Sequence, residues 1–88
     1  TLPPPYPHRV AAHRAGATAA VVSAMRAHPT SASLQAKGCL ALGNLAFDAE
    51  GEATAVSAGG IEALVLALKE HHADAAVAEE AYDALGQP

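Results

Sequence analysis

Five histidines, one cysteine and a group of carboxylates are the side chains of this 88-residue chain most suited to chemistry, and their spacing argues against it. His71 and His72 are adjacent, so on a helix their rings point about 100° apart and do not share one metal ion. His8 and His13 lie five residues apart, not the three or four that put two rings on one helix face. His28 and His71 each fall near the end of a helical segment, where a partial positive charge complements the macrodipole. Glu79, Glu80 and Asp83 belong to what should be a solvated face. Cys39 sits among small residues, with no histidine at a matching position to activate it. No phosphate-binding glycine loop, zinc-ligand spacing or Ser-His-Asp set occurs. The chain reads as a non-enzyme with no metal and no cofactor.

Two further patterns bear on partners. Pro3-Pro4-Pro5-Tyr6 matches the Pro-Pro-x-Tyr ligand of WW domains, which dock a preformed polyproline helix. Prolines ahead of a first helix also serve as a stiff linker, and both readings stay open. Charge is strongly divided. Thr1 to Leu45 holds four cations and no carboxylate, whereas Ala46 to Pro88 holds nine carboxylates and one lysine, giving +4 and −8. Either this is scatter over solvated faces, or the chain is dipolar, suited to head-to-tail stacking or to a basic ligand along its second half. Four scattered cations without interleaved aromatics do not make a nucleic-acid groove.

The elements that position these residues repeat. Laid on itself at an offset of 43 with no gap, the stretch from Ala15 to Leu45 matches that from Ala58 to Pro88 in ten places. A period of roughly 40–47 residues built of helices marks a solenoid unit. Residues 1–7 form a polyproline-type leading segment, 8–46 a first unit and 47–88 a second. In the first, a short helix from about His8 ends at Gly16. A second carries Ala20, Val21, Ala24 and Met25 to Pro29, and a third follows the cap at Ser31 with Leu34, Gly38, Ala41, Leu42 and Leu45 as its stripe. In the second unit, Asp48 and Glu50 open a short helix that ends at Gly59-Gly60. Ile61, Leu64, Val65 and Leu68 then form an apolar face to about His72. Asp74 caps the last helix, which turns Val77, Ala81, Ala84 and Leu85 inward.

Alanine dominates the apolar residues and favours helix, but it buries little area, so the core is expected to be thin. Two units fall short of the roughly three a solenoid needs, so the chain is expected to belong to a longer array or to be held by a partner or a copy of itself. Its start at Thr1 instead of Met suggests residues upstream. No stretch of about 18 apolar residues predicts a membrane span. The lone Cys39 is compatible with a reducing, intracellular compartment.

The stretches Ala58-Gly59-Gly60-Ile61-Glu62-Ala63-Leu64-Val65 and Gly38-Cys39-Leu40-Ala41-Leu42-Gly43-Asn44-Leu45-Ala46 resemble the armadillo repeat, and the likeness runs from about His8 to Pro88. Asn44 favours armadillo over HEAT units, which lack that asparagine pattern. The resemblance implies an all-α, right-handed superhelix whose third helices line a concave groove, and a scaffold or docking role toward other proteins or peptides. It marks Lys37, Leu40, Asn44, Glu80, Asp83 and Gln87 as the groove positions. In the family the asparagine often bonds the main chain of an extended peptide. Asn44 either does so here or braces a neighbouring helix. Leu40 stands where the nuclear-import adaptors of the family carry tryptophan, so capture of import signals is not expected.

Overall fold

The computed structural model describes the backbone of residues 7–86 and the side-chain environments of residues 13–86. Among the described residues every regular element is a helix: α1 (Pro7–Ala27), α2 (Ala32–Leu45), α3 (Ala49–Ser57), α4 (Gly60–Glu70) and α5 (Ala75–Ala84). Of the leading segment, residues 1–6, with Pro3, Pro4, Pro5 and Tyr6, lie outside the described residues, as does Gln87, whereas Pro7 opens α1, a position where its missing N–H costs the helix nothing.

Helix ends fall where the chain supplies caps. Ser31 accepts the Leu34 N–H at 3.2 Å, and Asp74 accepts that of Val77 at 3.1 Å, so positions 43 apart perform the same task. Asp48 accepts the Gly51 N–H at 2.8 Å to open α3, and Glu50 and Glu52 occupy its first turn. Pro29 closes α1. It has no N–H to give the Met25 carbonyl, and Gln35 replaces it, donating from Nε2 to Met25 O at 2.9 Å and to His28 O at 3.0 Å. That buried side chain fixes the corner from which α2 departs.

Six helices were expected and five are present among the described residues, because Gly16 does not interrupt α1. Its counterpart Gly59 adopts φ 84° and starts a 70° bend between α3 and α4. The residues that follow explain the difference. A Cβ at Gly60 would lie 2.9 Å from the Ala55 carbonyl oxygen, so the sharp crossing needs glycine there. The first unit has Ala17 at that place, and its methyl group blocks the same bend. The helix continues, and the first unit is two helices instead of the expected three.

Both units feed one core. Val22, Met25, Cys39 and Leu42 meet Ala63, Leu64, Ala67, Val77 and Ala81 in a single buried cluster. Helices α2 and α5 form the most extensive pair. They approach closely because Gly43 lacks a side chain: a Cβ there would sit 3.2 Å from the Ala84 Cα. Arg14 ties α1 to the start of α3, donating from Nη1 to Asp48 Oδ1 at 2.6 Å while its guanidinium lies 4.8 Å from the Phe47 ring centroid. The expected inward face of α4 needs correction. Leu64 is buried, but Ile61 and Val65 are exposed, and Ala63 and Ala67 face the core in their stead.

Candidate functional site

The α2–α5 pair that Gly43 brings together also shapes the surface above it. Leu40 and Asn44 are one turn apart on α2 (positions i and i+4), and Glu80 and Asp83 share a face of α5 at i and i+3. These four side chains line a cleft of about 210 Å³ floored by Cys39, Gly43 and Ala84. Lys37 is exposed on α2 but does not line the cleft. Four of the six marked positions are therefore brought together, one stands apart, and Gln87 is outside the described residues.

The character of the cleft is acidic and polar around one apolar side chain. Leu40 and Asn44 are exposed, and among the described residues the Asn44 carboxamide makes no hydrogen bond. The reading in which Asn44 braces an adjacent helix has no bond to support it. Beneath, burial pushes the Cys39 thiol up to about 11, and the charge of Glu80 pushes in the same direction. The thiol is protonated near neutral pH and is a poor nucleophile.

A second hollow, of about 350 Å³, opens on the other side of the Gly43–Ala84 contact. Val56, Ile61, Leu64 and Leu85 give it an apolar lining with Glu52 at its edge. Asp83 borders both hollows. The sequence pattern does not show this one, since it places Ile61 and Leu64 on one apolar face of α4. The isolated signal was Val56, a large apolar residue in an otherwise small and polar helix.

The histidines among residues 13–86 are dispersed. His71 Nε2 lies 2.8 Å from the Pro29 carbonyl, bridging the turn after α4 to the turn after α1. The backbone amides of His28 and His71 close their helices alike, onto Ala24 O and Ala67 O. Among the described residues no three His, Cys, Asp or Glu side chains converge on a metal-sized space, and no single helix is long and apolar enough to cross a membrane. Comparison with protein-family models, with curated proteins and with solved structures finds no match to this chain.

Proposed function

We propose that this chain is a non-catalytic protein-interaction module, two stacked units of an armadillo-like right-handed α-solenoid that serves as a scaffold or docking subunit. The observation that carries the reading is the exposed, unbonded carboxamide of Asn44, which lines the α2–α5 cleft together with Glu80 and Asp83. At about 210 Å³, the cleft is smaller than the roughly 300–1,000 Å³ that small-molecule sites use. A row of polar groups on two adjacent helices suits a polypeptide better.

Within that role, the same observation favours capture of an extended, basic segment of a partner protein. Asn44 pairs with the partner's main chain as both donor and acceptor, and Glu80 and Asp83 attract its cations. The probe is a labelled set of extended peptides bearing alternate lysines, with glutamates in their place as control, followed by fluorescence anisotropy at low salt. Capture of the lysine set should weaken at least tenfold in Asn44→Ala combined with Glu80→Lys and Asp83→Lys. Equal binding by the triple variant refutes peptide capture and leaves docking through other faces of the module.

A further inference from the structure

Positions 43 apart in the chain are not equally covered. Thr18, Val22 and Cys39 are 0%, 2% and 0% exposed, whereas their counterparts Ile61, Val65 and Tyr82 are 40%, 46% and 51% exposed. The imbalance reverses on the next arc of the same helices. Gly60, Ala63 and Ala67 are buried, while their counterparts Ala17 and Ala20 are exposed and Ala24 is half-buried. The buried sets of α1 and α4 are thus displaced by one residue, about 100° of helix rotation. The cause is the junction between units: α3 and α4 lie against α1, and α5 lies against α2. The first unit has its leaving face covered by the second. The second presents an equivalent leaving face, and the first an equivalent receiving face, to solvent.

We infer that a second copy of this chain stacks head to tail on the first, Ile61, Val65 and Tyr82 of one copy meeting Ala17, Ala20 and Ala24 of the next. The inference rests on the helical-repeat part of the proposed function and is independent of the α2–α5 cleft. The contact repeats between chains the junction that already joins the two units within one. Large apolar groups on the leaving face leave water, and small residues on the receiving helix admit them closely, as Ala63 and Ala67 do in the cluster they share with Val22 inside the molecule. A basic side chain recurs at the junction as well. Arg26 reaches so near Gly59 that a Cβ there would collide with its guanidinium. Lys69 occupies the position matching Arg26, and Gly16, matching Gly59, has open space around it to receive that lysine from another copy.

Charge selects the polarity of stacking. A head-to-tail contact sets the −8 half of one copy against the +4 half of the next. A two-fold contact through the α4 faces sets two acidic halves together and is repelled. Both ends of a stack stay open, so growth continues beyond two chains.

Two blocking variants test the contact on the full chain: Val65→Glu on the leaving face and Ala20→Glu on the receiving face. Both sites are exposed, and circular dichroism checks that the helices persist. Molar mass is followed against concentration by sedimentation and light scattering. The unaltered chain should exceed two chain masses as concentration rises, and less so in high salt. Each variant alone should stay at one chain mass, and their equimolar mixture should stop at two, because one good face of each kind remains. A constant single chain mass for the unaltered protein overturns the inference, and so does a mixture that stays at one. If stacking fails while lysine-peptide capture persists, only this contact falls. If capture fails while stacking persists, the cleft reading falls.

Discussion

Replacing Gln35 with leucine should unfasten the corner between α1 and α2. Pro29 supplies no N–H, so Met25 O, four residues earlier, depends on Gln35 Nε2 at 2.9 Å, in a buried setting. The second acceptor, His28 O, keeps a bond from the Ser31 amide at 3.2 Å. Only one carbonyl is therefore stranded. A buried group left without its partner costs about 1–3 kcal/mol. The leucine side chain recovers part of this by burying more apolar surface, so a net loss of about 2 kcal/mol is expected. For a domain of this size that lowers Tm by roughly 8–16 °C. Urea and thermal unfolding followed by helical circular dichroism read the change. Pro29→Ala provides the internal control, because it returns an amide at the position that a continuing helix would use to bond Met25 O. In that background the cost of Gln35→Leu should shrink by about 1 kcal/mol or more, a coupling that a double-mutant cycle isolates. Equal losses in both backgrounds, or a single-variant loss below about 0.5 kcal/mol, would refute the account.

Ser31→Ala and Asp74→Ala should each destabilise by about 1 kcal/mol in urea unfolding, with near-additive effects in the double variant, since both remove one cap bond from separate helices. The Gly51 backbone amide, and then Arg14, hold the Asp48 carboxyl below its usual range. The stabilisation is present above the unfolded carboxylate value near pH 4 and is lost as pH falls through the lowered folded value. Acid unfolding curves of Asp48→Asn should accordingly lack that part of the pH dependence. The Cys39 thiol, raised to about 11, favours the folded state fully below its unfolded value and loses that contribution as pH climbs from about 9 to 11. Alkaline stability should thus fall less in Cys39→Ala than in the unaltered chain. Alkylation of Cys39 at pH near 8 should be at least tenfold slower in native protein than in urea, and equal rates would contradict its burial.

The packing of the five described helices separates what local pattern conveys from what neighbours impose. Caps are local: Ser31, Asp48 and Asp74 each bond an amide three residues on, and their type alone announces it. The groove positions are partly local too. Leu40 and Asn44 must share a face of α2 once that helix forms, but their meeting with Glu80 and Asp83 depends on Gly43 letting α5 come close. The apolar hollow near Val56 and Ile61 was invisible, because it is bordered by four helices and no single periodicity describes it.

By itself the chain determined that it is helical, that its halves are related at a spacing of 43, and where most helices stop: at Pro29, at the Gly59-Gly60 pair and before the caps. Only the tertiary structure decided which glycine bends and which apolar arc is covered. Gly16 and Gly59 are the same residue at matching positions, yet the methyl group of Ala17 against the bare Gly60 sends one straight and turns the other. Periodicity defines an apolar arc wider than one contact can cover. Whether Val22 or Ala20, Ala63 or Val65 fills the core depends on which neighbour lies alongside, and nothing local to a helix encodes that.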